Sequence, residues 1–183
     1  MEHKYKNIKK VEELVRDTLN LPHEVCLNSG QSGYLFGLTE DGLLLKDEAE
    51  IVSYGGQTPI FEIFYKSKPL AEKEVKEFNA LGGLMKKKAY LGTISSSLPE
   101  LSKDTIDALR EADIIIYGPG TQYSSLYPTY WTKGLSQEIS SSSALKFFIT
   151  NIDHDNETPE FTAADQIRPV SYTHLTLPTI LRV

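Results

Sequence analysis

The chain has 183 residues, 40% of them apolar and 24% charged, the composition of one globular domain with a sizeable core. A net charge of -6 without a Lys/Arg stripe argues against nucleic acid as a main partner, because phosphate neutralisation dominates that affinity. No run of about 18 apolar residues is present, so neither a membrane-spanning helix nor a membrane partner is expected; the single cysteine, Cys26, permits no internal disulfide and reads as a core residue of a reducing compartment.

Residues 1–10 are polar, so no secretory signal is expected and the cytoplasm is the default compartment. Val11, Leu14, Val15, Leu19 and Leu21 recur at three- and four-residue steps, which predicts an amphipathic helix over 8–20 closed by Pro22. Residues 24–28 read as a short strand and 28–33 (NSGQSG) as a loop. That loop has neither the lysine of a P-loop nor the spacing of a dinucleotide fingerprint. Two apolar runs, 34–38 and 43–47, flank Asp41-Gly42, a strong short-range hairpin signal. Residues 54–59 (YGGQTP) form a turn and 60–65 (IFEIFY) an aromatic strand. From 69 to 88 the period is helical but broken at Gly82-Gly83, where the helix is expected to end or kink. Lys86, Lys87 and Lys88 read as a solvated helix end, 89–94 as a further strand, and Ser102 or Asp104 as the cap of a helix running to Glu111.

That helix leads into Ile114, Ile115 and Ile116, an unalternating β-branched run that breaks into Gly118, Pro119, Gly120 and Thr121. Such a run reads as a strand of a parallel sheet buried on both faces. The loop after it then lies at the carboxyl edge, where open α/β sheets bind ligands. It is either a plain turn or a ligand loop in which Ser124, Ser125 and the unhindered glycine backbone approach a phosphate or ribose. A helix is expected over 131–139. A second buried parallel strand over 146–150 brings Asn151 to the same edge. The next loop carries Asp153, His154, Asp155 and Glu157. These acids either hold Mg²⁺, or accept from ribose hydroxyls, or are solvated charges. His154 reads as a surface residue.

The string GPGTQYSSLYP, with Gly118, Pro119, Gly120, Thr121, Ser124, Ser125 and Pro128 in the pattern GPG-(S/T)-x-x-(S/T)-S-x-x-P, resembles the CofD/YvcK-like family. That family includes 2-phospho-L-lactate transferases and nucleotide-sugar-binding gluconeogenesis factors. The likeness is greater to the YvcK-like branch than to the transferases, whose loop usually carries Ser and Asn after the first Gly-Pro. Asn151, Glu157, Thr158 and the small-residue helix start at 161–165 extend it, while the stretch between departs from the commoner Met-Thr-Gln-x-Gly. The resemblance spans roughly 22–167 and is strongest from Ala112 onward. It implies an α/β, Rossmann-like, doubly wound and mainly parallel sheet, incomplete here, with a β-hairpin insertion. It further implies a ligand site at Gly118, Pro119, Gly120, Thr121, Ser124, Ser125, Asn151 and Thr158, with Asp153 or Asp155 near a Mg²⁺.

Three functions remain open on these grounds. One is a nucleotide-sugar-binding regulator; another is transfer of a phospholactyl group from a guanosine diphosphate carrier to a deazaflavin; the last is a fragment with no ligand. A nucleotide-linked small molecule is the expected partner, with homo-oligomerisation open. Family members begin with a strand and a glycine-rich loop that do not occur before the first helix here, so an incomplete amino-terminal side is expected. At the other end the helix starting at 161 is expected to stop at Pro169. Residues 170–179 (VSYTHLTLPT) resemble a translated sequencing adapter. The expected division is therefore a partial domain over 1–169 and a non-native tail over 170–183.

Overall fold

The computed structural model describes residues 2–55, 58–152, 155 and 157–174. The chain folds into two small sheets joined by one apolar core. α1 (Glu2–Thr18) leads through an irregular stretch, not the strand expected at 24–28, to β1 (Tyr34–Thr39) and β2 (Leu44–Leu45). These two form the antiparallel hairpin that Asp41-Gly42 predicts, with Leu38 opposite Leu44. A short α2 (Glu48–Val52) capped by the Asp47 carboxylate follows, then β3 (Ile60–Lys66). β3 pairs with the other edge of β1, giving the order β2-β1-β3.

Both faces of this sheet are covered. On one, Phe36 stacks on its cross-strand neighbour Phe64 at 5.6 Å and packs with Phe78 and Leu91 from α3 (Glu72–Asn79) and α4 (Leu84–Ile94). The break between these helices is the Gly82-Gly83 pair, where Gly83 takes φ +84°, a left-handed conformation that glycine adopts without strain. Residues 89–94 therefore continue a helix and are not a strand; the apolar residues of that stretch satisfy either period, and packing on the sheet decides. On the other face, Leu45, Ile51, Ile60 and Ile63 join the main core.

α5 (Lys103–Glu111) starts at Ser102, whose hydroxyl accepts from the Thr105 N–H. β4 (Ile114–Tyr117) follows, then a π-helical turn (Gln122–Leu126), α6 (Tyr127–Tyr130), α7 (Leu135–Ser141) and β5 (Leu145–Phe148). β4 and β5 are parallel, with Ile114 opposite Leu145 and Tyr117 opposite Phe148. A parallel pair requires a crossover of this kind. The bidentate Arg110–Glu138 ion pair, 2.7 Å on both arms, ties α5 to α7.

Three expectations are corrected here. Among the described strands the larger sheet is antiparallel, so the sheet content is not mainly parallel. β4 is not buried on both faces: Ile115 and Tyr117 point into the core, whereas Ile114 and Ile116 are 53% and 60% exposed. No described element covers that outer face. Finally, α8 (Ala163–His174) runs through Pro169 instead of stopping there, and Val170 is fully buried in the main core. Residues 175–183 of the expected tail lie outside the described residues. α1 also stays largely exposed at Val11, Leu14 and Val15, and Cys26 is only partly buried. No described helix is long and apolar enough to cross a membrane.

The core around the crossover is aromatic. Tyr117 meets Tyr130 edge-on at 5.7 Å, Tyr123 meets Tyr127 edge-on at 5.2 Å, and Trp131 stacks on Tyr127. Burial pushes the hydroxyls of Tyr123 and Tyr130 up to about 12, with Glu157 and Glu40 adding to the effect at Tyr123. Tyr117 and Tyr127 are raised in the same direction by burial. Unfolded tyrosine titrates near about 10, so the native state holds these protons while the unfolded chain has lost them. Their contribution is complete below pH 10 and disappears as pH rises through 12. A tyrosinate absorbance titration will therefore show two populations among the ten tyrosines, the later one rising together with loss of the circular dichroism signal.

Candidate functional site

The site is built where β4 and β5 end side by side. The Ile149 N–H donates to the Tyr117 carbonyl at 2.9 Å, carrying the parallel ladder one step past the strands. Gly118, Pro119, Gly120 and Thr121 leave β4, while Thr150 and Asn151 leave β5. The two exits are clasped by one side chain. The Asn151 Oδ1 accepts from the Gly120 N–H at 2.9 Å, and its Nδ2 donates to the Gly120 carbonyl at 3.0 Å. A Cβ at Gly120 would stand 3.2 Å from the Leu126 side chain, so glycine lets Leu126 pack against the loop. Asn151 is held in turn by α8, where the Gln166 Oε1 accepts its backbone N–H at 3.2 Å.

Beyond Thr121 the chain enters the π-helical turn, whose first N–H groups have no partner within the turn. Two buried carboxylates take them. Asp155 Oδ2 accepts from the Gln122 N–H at 3.0 Å. Glu157 Oε2 accepts from the N–H groups of Tyr123 and Ser124 at 2.7 and 3.0 Å, and its Oε1 accepts from the Ser124 hydroxyl at 2.5 Å. Asp155 is 8% exposed and Glu157 3%; charges so placed must be hydrogen-bonded to persist. The Tyr123 hydroxyl donates to the Ile60 carbonyl at 2.9 Å, fastening the turn to the antiparallel sheet.

The residues expected to bind a ligand are thus brought together, but with divided roles. Gly118 and Pro119 are exposed, Gly120 and Thr121 half-buried, and Ser125 exposed. Ser124 and Thr158 are buried. Thr158 is structural, its hydroxyl directed at Asp155 Oδ2 at 3.4 Å and its N–H at the Asp155 carbonyl. Asp153 and His154 lie outside the described residues. At Asp155, Oδ1 accepts from the Glu157 N–H and Oδ2 from the Gln122 N–H, and no cluster of three His, Cys, Asp or Glu occurs among the described residues. The N–H groups of Gln122, Tyr123 and Ser124 are taken by the chain's own carboxylates. Sequence reading did not find Gln166, or the inward role of Asp155 and Glu157; no spacing signals a cap delivered from more than 30 residues away.

A cleft of about 540 Å³ opens between the two strand exits, lined in part by Pro119, Gly120, Thr121, Thr150, Asn151 and Ile152. This is the size of a small-molecule site. On the opposite side of Glu157 lies a smaller hollow of about 320 Å³, reached between Tyr54, Pro59 and Phe161.

Removing the clasp and removing the cap differ in consequence. Asn151→Ala deletes two hydrogen bonds at a partly open position and lowers stability by about 1–3 kcal/mol. Glu157→Ala strands three buried donors and lowers it by more than about 3 kcal/mol. Urea denaturation of both variants checks the order.

The comparisons with known proteins agree with this architecture. The family model described as 2-phospho-L-lactate transferase CofD matches residues 1–176. A putative gluconeogenesis factor of Aquifex aeolicus is 27% identical over 137 residues, 73% of this chain and 40% of that protein. The gluconeogenesis factor of Halalkalibacterium halodurans is 28% identical over 153 residues, 83% of this chain and 38% of that protein. The chain therefore spans about two fifths of the length of these relatives. A crystal structure of a UPF0052 family protein from Bacillus halodurans superposes with a TM-score of 0.63 at 23% identity, covering 88% of this chain and 42% of that one, which makes the fold a shared one. With the family model matched over nearly the whole length, this chain belongs to the CofD family, with curated gluconeogenesis factors among its relatives.

Proposed function

We propose that this chain supplies part of a nucleotide-sugar site, in the manner of the gluconeogenesis-factor branch, and that the site acts by binding. The observation that carries the reading is the cleft at the carboxyl edge of β4 and β5, where a clasped GPGT loop and Asn151 converge. Parallel α/β sheets place their ligands at this edge because loops from adjacent strands diverge there. A Rossmann-like relation of β4, the crossover helices and β5 to nucleotide-binding sheets belongs to the same proposal. So do a cytoplasmic setting and self-association of the family-length protein. The relatives named gluconeogenesis factor, a name that states no transferase activity, support the choice of this branch. The description of the matching family keeps phospholactyl transfer from a guanosine diphosphate carrier as the second reading.

Thermal denaturation with UDP-glucose, and with GDP in the presence and absence of Mg²⁺, separates these. A ligand that binds only the native state raises its stability by about 2.7 kcal/mol at a concentration 100 times Kd. Stabilisation by UDP-glucose is the expected result. Stabilisation by GDP with Mg²⁺ alone moves the assignment to the transferase, and no effect of either removes the nucleotide reading.

A further inference from the structure

The outer face of the parallel pair is apolar across both strands. Opposite residues of two paired strands share a face, so Ile114 lies beside Leu145 and Ile116 beside Phe147, and Ile149 extends the second row past the strand end. In that order these five side chains are 53%, 65%, 60%, 49% and 49% exposed. No polar side chain interrupts the rows. Lys146, the one charged residue of the two strands, has its ammonium on the carbonyls of Ser142 and Ala144 at 2.8 and 3.2 Å. A sheet face that stays in water carries polar residues at alternate positions, and open sheets are kept single by charges placed on them; this face has neither. With side chains of this size the five exposures amount to roughly 600 Å² of contiguous apolar surface, and the fully exposed Ile152 just beyond adds to it, where a standard interface takes about 800 Å² from each partner.

We infer that this face is where two copies of the chain meet, with Ile114, Ile116, Leu145, Phe147 and Ile149 of one copy packed on the same five residues of the other. The area is close to that of one isologous interface, in which a single patch serves both partners. Each copy carries a net charge of -6, so two copies approach most favourably through a patch that holds no charge. Two such faces also offer each other the interdigitated apolar layer by which sheet packs on sheet. Ile149 and Ile152 belong to the lining of the cleft between the strand exits as well, so the second copy covers one side of that cleft. The interface needs no ligand and stands or falls separately from the nucleotide reading.

Sedimentation velocity of the intact chain across the micromolar range tests this. The expected result is a reversible, concentration-dependent shift from the 20.5 kDa monomer to twice that mass. Ile116→Lys and Phe147→Glu, both at exposed positions, are expected to weaken association about tenfold or more, because each puts an unpaired charge into an apolar interface. Met85→Glu, at an exposed position of α4, is expected to leave it within about twofold. Circular dichroism checks the folding of each variant. A second readout needs only the wild type: hydroxyl-radical labelling of Phe147 and Ile149 is expected to fall as concentration rises, while labelling of Met85 stays constant. A chain that remains monomeric throughout, association that continues past two copies, or labelling that falls equally at Met85 overturns the inference. So does a family-length protein that is monomeric with Phe147 and Ile149 protected, a result that gives this face to the rest of that polypeptide.

Discussion

The geometry of the whole edge depends on two carboxylates buried against a short helical turn. Asp155 and Glu157 each give up bulk hydration, and what makes this tolerable is that the turn beginning at Gln122 has N–H groups needing acceptors at that place. Neither party is stable alone. A π-helical turn of five residues is a rarely used conformation, and a carboxylate without a cation or donor is expelled from a core. Together they fix the position of Thr121, Ser124 and Ser125, and through the Tyr123 bond to Ile60 they fix the parallel pair against the antiparallel sheet.

This arrangement changes what the helix start can recognise. The amino end of a helix is a ready anion site because its N–H groups and dipole favour negative charge. Here the anion is built into the chain, so the favourable interaction is realised in the unliganded protein and is not available to a phosphate. The cleft is lined by the hydroxyl residues Thr121 and Thr150, the Asn151 clasp, Gly120 and apolar side chains such as Ile149 and Ile152, with Asp155 and Glu157 at its edge.

Local features were legible in the sequence because short-range chemistry decides them. Asp41-Gly42 gave the hairpin, Ser102 capped its helix, and Gly82-Gly83 separated two helices, each through the conformational preference of one or two residues. The parallel pairing of β4 with β5, and hence the meeting of Gly120 with Asn151, was readable from two β-branched or aromatic runs with a helical crossover between them. The rest depends on contacts distant in sequence. Residues 89–94 are helical because Leu91 packs against the Phe36–Phe64 face, and β4 alternates in exposure because a helical layer covers one of its faces only. Pro169 sits inside α8 while Val170 is drawn into the aromatic core. The acids at 155 and 157 resemble solvated loop charges in every local respect, and only the unsatisfied N–H groups 33 and 34 residues earlier turn them inward.

Because the same bonds hold the fold and shape the cleft, loss of ligand binding on its own says little about any residue here. Deleting Glu157 removes the cap and the turn together, so every ligand suffers alike. The informative quantity is a ratio between two ligands that share a nucleotide and differ in the attached sugar, since a general loosening cancels from it. The shape of this edge is therefore a property of Glu157, a side chain 3% exposed, as much as of the exposed residues around the cleft.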